Sequence, residues 1–408
     1  MRSDHALVAV FLTACAGASS PDRAAHPERP SMTTSPTFAD DVAFLRRHAP
    51  DLVVLEREDA RVAVAPGYQG RVMTSAVTEG GASFGWIHRA RIESGVPTPH
   101  MNVFGGEDRL WLGPEGGAFA LYFAPGAPFE LAHWQVPPAI DLAAWEVTAR
   151  EAASVAFAHE ARFVNRAGTE LVVAIERTVR MIAPWVEAPG AHAVAYESVN
   201  RIRNAGTAAW TAASGLVSIW ILSMYRPSPA TTIVVPFRAG PEAELGPIVN
   251  ADYFGRVPSS RLSVDAERAV IFFRGDGGER GKIGVSFARA RPVMGSYDPE
   301  AGALTLVTYT LPEAAPHGYV NSLWAETDTP YGGDVVNSYN DGPLAPGAAP
   351  LGPFYELESS SPAAALAPGE ALEHVHRTIH LVGPRAVLDA VARAQLGVGL
   401  DAIEAALP

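Results

Sequence analysis

Near the C-terminus the run Phe354-Tyr355-Glu356-Leu357-Glu358 is followed by the turn signal Pro368-Gly369-Glu370 and then by His374-Val375-His376. Read as strand, turn and strand, this places two carboxylates on one strand and two imidazoles on the next. Side chains alternate faces along a strand, so Glu356 and Glu358 share a side, as do His374 and His376. His380 joins that side if the second strand runs on. A carboxylate beside an imidazole is the raw material of general acid–base chemistry, and two glutamates on one face repel, which raises one pKa. The same residue types also stand at the ends of ordinary solvent-facing strands.

A second stretch is dense in oxygen ligands and aromatic rings: Asn321 to Asp328, then Tyr331 to Pro343. Carboxylates and amides read hydroxyls, and rings stack on the apolar face of a pyranose. On that reading Trp324 and Tyr339 stack on a sugar, while Glu326, Asp334, Asn337 and Asn340 contact its hydroxyls. The same oxygens suit Ca²⁺, although the spacing matches no EF-hand loop. They also suit a turn-rich loop in which Asp and Asn bond their own backbone.

A third stretch, Asn102 to Gly117, is glycine-rich, and glycine lets a backbone approach its neighbour closely. It has no Gly-Lys-Ser/Thr and no dinucleotide fingerprint. Glu107, Asp108 and Arg109 form either an internal ion-pair cluster or, through Arg109, a ligand contact. His100 precedes this stretch and can line the same cleft; His317 lies beside Gly318-Tyr319, and His133 beside Trp134. The chain contains neither His-Glu-x-x-His nor Gly-x-Ser-x-Gly, so zinc proteases and common serine hydrolases lack support.

The elements that must position these residues read as strands. Short Val-rich runs at Leu52–Leu55, Arg61–Ala65 and Arg71–Val77 are split by Gly and Pro. Further runs lie at Phe119–Phe123, Ala153–Phe157, Leu171–Met181, Gly215–Met224, Thr232–Phe237, Ala269–Arg274, Ile283–Ala288 and Leu304–Thr310. The 37 Gly and 34 Pro fall mostly between such runs. No fixed-period repeat is present, which disfavours a propeller or solenoid. The pattern predicts an all-β fold, a large antiparallel β-sandwich over residues 38–385. A short helix is expected at Asp40–His48, capped by Asp40 or Asp41. A C-terminal helical tail over 386–408 holds helices at Ala386–Gln395 and Leu400–Leu407, covering a sheet edge or a sandwich end.

Bulk composition narrows the partners. The chain has 408 residues, 48% of them hydrophobic, enough for a sizeable core. The formal net charge is −13, from 31 Lys+Arg against 44 Asp+Glu. Without a basic stripe, nucleic acid is not an expected partner. No apolar run approaches the roughly 20 residues that span a bilayer. The single cysteine, Cys15, follows the apolar run Ala6–Leu12, as in a bacterial lipoprotein signal in which the thiol is acylated. Residues 1–15 then form the signal segment and 16–37 a flexible tether, and membrane contact runs only through the lipid at the cell envelope. The alternative is translation from Met32 and a cytoplasmic protein. On either reading the folded part holds no cysteine, so disulfides, thiolate metal sites and cysteine nucleophiles are excluded there.

The run Pro66-Gly67-Tyr68-Gln69-Gly70-Arg71-Val72-Met73-Thr74-Ser75 resembles the first hairpin of the galactose mutarotase-like (aldose 1-epimerase) superfamily. Glu356–Ser359 with Leu366-Ala367-Pro368-Gly369-Glu370 is similar to its closing strands, and Gly105–Gly117 and Gly333–Pro343 fit the same order. The resemblance covers about residues 38 to 383 and is one of pattern. It implies a β-sandwich whose concave face holds a small sugar or a saccharide end, with no cofactor. It also implies epimerase-like chemistry at an anomeric centre: a late glutamate, here Glu358 or Glu356, takes the proton from the anomeric hydroxyl, and a histidine protonates the ring oxygen. The family's His-Pro-like motif before a Tyr/Phe-Asn pair has no counterpart around Asn200–Asn204 or Trp220. The acid then falls to His100, His317 or His374 if the fold brings one opposite the glutamate. The alternative is a non-catalytic carbohydrate-binding lipoprotein on the same fold.

Overall fold

The computed structural model describes residues 36–344 and 347–408. Cys15 and the tether up to Ser35 lie outside the described residues. Helix Phe38–His48 opens on a capping box: Asp40 N–H donates to Thr37 Oγ1 (3.2 Å), and Thr37 N–H donates to the Asp40 carboxylate (3.0 Å). Thr37, not Asp40 or Asp41, is therefore the cap. Asp41 is fully buried and pairs with Arg226 (2.6 Å) and Arg89, tying the helix to the sheets.

Among the described residues all paired strands are antiparallel and form three sheets. A small one joins Val53–Arg57, Ala60–Ala65 and Arg71–Ala76. A ten-stranded sheet is built around the long strands Ser154–Val164, Glu170–Met181, His192–Asn204 and Ala371–Val382. A five-stranded sheet has the order Gly281–Ser286, Asp334–Asn340, Tyr355–Ser360, Ser218–Tyr225, Arg109–Gly113. The expected large antiparallel sandwich is present. Apolar side chains from the larger two sheets meet in continuous clusters, for example Tyr355 and Leu357 with Ile233, Met294 and Val307. Phe119–Phe123 is irregular rather than a strand; it is buried against the core and bridges once, Phe123 to Trp134.

Helices Arg385–Leu396 and Leu400–Glu404 do not cap a sheet edge. Leu388, Val391, Leu396 and Ile403 pack on Val234, Phe272, Leu306 and Ile379, so the pair covers the outer face of the ten-stranded sheet. The five-stranded sheet turns its other face outward, and loops rather than helices cover it. That face holds the cleft. No helix among the described residues is long and apolar enough to cross a membrane.

Candidate functional site

Register fixes which side chains share the outer face of the five-stranded sheet. Lys282, Tyr339, Glu356 and Met224 lie side by side in one row. Gly284, Asn337, Glu358, Leu222 and Arg109 form the next, and Ser360, Trp220 and Trp111 the third. The intervening residues, among them Tyr355, Leu357 and Ser359, face the core by the period-2 rule. The outer face reads polar and aromatic although every residue of Tyr355–Ser360 is buried. Its cover comes from the loops that carry Tyr253-Phe254 and Leu323-Trp324.

Between sheet and loops lies a cavity of about 490 Å³, within the usual range for a small-molecule site. It is lined by Trp220, Trp324 and Tyr253, with Glu115, Lys282 and Asp334 among the polar groups. A second lobe of about 150 Å³ shares Trp220, Trp324 and Lys282 and adds Arg109, Tyr339 and Glu356. Trp324 Nε1–H donates to Glu115 Oε1 (3.1 Å). Tyr253 donates its hydroxyl to Asp334, and Asn337 Nδ2 donates to the Tyr253 oxygen (3.0 Å).

The electrostatics divide the carboxylates. Arg109 Nη2 stands 2.8 Å from Glu356 Oε1, with both side chains about 95% buried, and favours the charged form. Burial outweighs that attraction, Glu358 adds to it, and the Glu356 carboxyl is pushed up to about 7. Burial also raises Glu115 and Asp334 above the ordinary carboxylate range. Glu358 is fully buried and lines neither lobe. Its Oε2 accepts from Lys282 Nζ (3.0 Å) and Trp220 Nε1 (2.9 Å), and its Oε1 has no partner among the described residues.

The structure brings together Glu356, Arg109, Trp324, Asp334, Asn337 and Tyr339, all of which line the cleft. The strand–turn–strand reading of the histidines is corrected. Tyr355–Ser360 and Ala371–Val382 belong to different sheets, so His374 and His376 approach Tyr355–Ser360 from its core side. There Ser359 Oγ lies 2.8 Å from His374 Nε2 and 2.9 Å from His376 Nδ1. Burial depresses the two imidazoles to about 3 and about 4. His380 Nε2 lies 3.1 Å from Glu107 Oε2, also in the core.

The other histidines do not replace them. His100 Nδ1 lies 2.7 Å from the Trp134 carbonyl oxygen and does not line the cleft, and His317 is exposed on a turn. Glu326 pairs with Arg166 (2.6 Å) outside the cleft. Asn340 Nδ2 donates to the Glu279 carbonyl (2.9 Å) and Asp276, holding a turn. Glu107, Asp108 and Arg109 are not one cluster: they reach His380, Arg177 and Glu356 in three separate directions. Among the described residues no group of three or more His, Cys, Asp or Glu side chains is placed to hold a metal ion.

Sequence reasoning missed Trp220, Lys282, Glu115, Tyr253, Phe254 and Arg280. One signal was available. Of the 31 basic residues only Lys282 is a lysine, and an ammonium where the chain otherwise uses guanidinium marks a position where a compact charge matters.

A model of the family described as "Family of unknown function (DUF6786)" matches residues 36–407. No curated protein matches the chain. Among solved structures the chain is similar to a galactose mutarotase-like protein from Lactobacillus casei ATCC 334, at 10% identity over 81% of this chain and 99% of that one, TM-score 0.47. It is similar also to a galactose mutarotase related enzyme from Lactobacillus acidophilus, at 9% identity over 81% and 97%, TM-score 0.46. A third is the GalM/aldose epimerase homologue from C. elegans, at 9% identity over 81% and 98%, TM-score 0.41.

Proposed function

We propose, for a chain that belongs to the DUF6786 family, that the cleft binds a carbohydrate and supports acid–base chemistry at its anomeric centre. One observation carries this reading. Indole and phenol rings from Trp220, Trp324 and Tyr253 share one cavity with Asp334, Asn337 and Glu115, and the adjoining lobe, which Trp220, Trp324 and Glu115 also line, adds the buried acid Glu356. Rings of this kind stack on the apolar face of a sugar, and the amide and carboxylates read its hydroxyls.

A carboxyl that titrates near 7 is present in both forms at neutral pH, which suits a proton donor. In the proposed step Glu356 gives its proton to the ring oxygen as the C1–O5 bond breaks. A cleft carboxylate, Glu115, takes the proton of the anomeric hydroxyl, whose electrons form the aldehyde. Reclosure on the other face reverses both transfers. Glu358 takes no part in the transfer; it holds Lys282 and Trp220 in place from beneath the floor.

The second reading is a binding protein without turnover. It is favoured by the engagement of Glu356 with Arg109 and of Glu358 with Lys282. Exchange NMR with a panel of reducing sugars separates the two. Accelerated anomer exchange that Glu356→Gln abolishes supports the enzyme. Line broadening without exchange supports the binder, and no response to any sugar refutes both. The envelope location through Cys15 is a separate proposal. Mass spectrometry of protein from membranes, which finds an acylated Cys15 or an unmodified chain, decides it.

A further inference from the structure

We infer that the cleft, on the carbohydrate reading above, selects a saccharide that carries an anionic substituent, a carboxylate or a phosphate, and that Arg280 is the residue that recognises it. The other cations on the cleft face are already matched: Arg109 by Glu356 at 2.8 Å and Lys282 by Glu358 at 3.0 Å. Arg280 lines both lobes, makes no ion pair among the described residues, and has a buried Nε with no hydrogen-bond partner there. Its guanidinium carbon lies 3.7 Å from the centre of the Phe254 ring, which fixes the plane of the fork. Phe254 is 45% exposed, so the stacked pair stands at the mouth of the cleft. The nearby acid Asp341 attracts Arg280 through space without pairing with it, its oxygens accepting from Tyr339 Oη–H (2.8 Å) and Gly352 N–H (2.8 Å).

Beyond its contact with the Tyr339 hydroxyl, the planar guanidinium keeps donors to spare, and these are matched by a carboxylate or phosphate, which accept two parallel N–H bonds at once. The rest of the molecule makes this specific. A chain with net charge −13 repels anions at long range, so an unpaired arginine inside its cleft acts on a docked ligand rather than as a general attractor.

The cleft is also polarised along the strand. Arg280 immediately precedes Gly281–Ser286, whose far end, Ser286, stands opposite Asp334. The Asp334 carboxylate and the Asn337 amide both lie against Gly284, so four residues of strand, roughly 13 Å of backbone, separate this polar end of the cleft from Arg280. An anionic group at the Arg280 end leaves the hydroxyls of the sugar toward Asp334 and Asn337.

Titration calorimetry on the full chain tests this with galactose, glucose, galacturonate, glucuronate and glucose 6-phosphate, each against wild type, Arg280→Gln and Arg280→Lys. Circular dichroism verifies that each variant is folded. The expected result is that at least one anionic sugar binds tenfold or more tighter than its neutral parent. That ratio falls below twofold in Arg280→Gln and is intermediate in Arg280→Lys, which keeps the charge and loses the fork. A preference confined to the uronates identifies the group as carboxylate, and one confined to glucose 6-phosphate identifies it as phosphate. Neutral sugars bound as tightly as anionic ones, or a preference that survives Arg280→Gln, overturns the inference and leaves carbohydrate binding intact. Binding of none of the five overturns both.

Discussion

Glu358 and Lys282 form an ion pair beneath the cleft floor, Oε2 to Nζ at 3.0 Å, with the carboxylate wholly and the ammonium almost wholly removed from solvent. Trp220 donates to the same oxygen, so one buried carboxylate anchors both the cation and the ring that the cleft presents. Breaking such a pair from one side strands the other charge. Glu358→Ala should lose about 3–5 kcal/mol of stability in urea unfolding. The double variant Glu358→Gln with Lys282→Met should recover a good part of what Glu358→Gln alone loses. Strict additivity in that cycle would show that the two do not act as a pair.

Lys282→Arg tests why the one lysine is where it is. A guanidinium is planar and larger, while the site offers a compact charge one carboxylate oxygen, with Trp220 and Tyr253 rings 4.8 and 5.6 Å from Nζ. The substitution keeps the charge and disturbs the packing. Overpacking of this kind costs about 1–3 kcal/mol. Affinity for the best sugar of the panel should fall at least tenfold, measured by calorimetry, and a fall under twofold would show that any cation suffices.

Glu356 gives the fold a pH dependence of definite sign. Its carboxyl titrates near 7 in the native chain and at 4.5 without the protein around it, so between those values the native state holds the extra proton. Stability from this group is complete below pH 4.5 and is lost as pH rises through 7, by about 3 kcal/mol in all. Glu356→Gln removes the dependence. Its stability relative to wild type should therefore improve steadily from pH 5 to pH 8 in urea titrations, and a constant difference would refute the raised carboxyl.

His374 and His376 act in the opposite sense. Their native values, about 3 and about 4, lie below the ordinary 6.5, chiefly because burial disfavours the cation. The unfolded chain takes up more protons between those limits, so their contribution is intact above pH 6.5 and is lost as pH falls toward 4. The loss by pH 4 is on the order of 7 kcal/mol for the pair, partly offset above pH 4.5 by Glu356. His374→Gln should flatten the decline between pH 6.5 and 4, whatever it does to stability at neutrality. An unchanged slope would mean that His374 is already charged in the fold.

Much of this architecture is legible in the sequence, for a physical reason. Val-rich runs between Gly and Pro have few alternatives to strand, and strand geometry put Glu356 and Glu358 on one side without knowledge of partners. Pairing is not legible in the same way. The segment Ser361–Glu370 has the look of a hairpin connection, yet it carries the chain from one sheet to the other, so the imidazoles arrive behind the carboxylates. Trp220 was hidden because Ser218–Tyr225 is buried on both faces and reads as continuous core. Glu326 and Asn340 were over-read because a polar loop supplies many more oxygens than a site uses; here they close an ion pair and a turn.

Gly284 tests whether Asp334 and Asn337 touch the ligand at all. It stands opposite Asn337 in the register, and a Cβ built there would collide with the Asp334 carboxylate and come within 2.8 Å of Asn337 Nδ2. Its backbone is not left-handed, so the requirement is space alone. Gly284→Ala must push both side chains away from Tyr253, whose hydroxyl they now hold. The added methyl should cost about 1–3 kcal/mol of stability. If these groups read sugar hydroxyls, affinity should drop by tenfold or more while the fold persists, because displaced partners leave hydroxyls unpaired in a desolvated cavity. Calorimetry and urea unfolding on the same preparation separate the two effects. Lost stability with unchanged affinity would take Asp334 and Asn337 out of the binding surface and leave recognition to the rings and to the Arg280 end of the cleft.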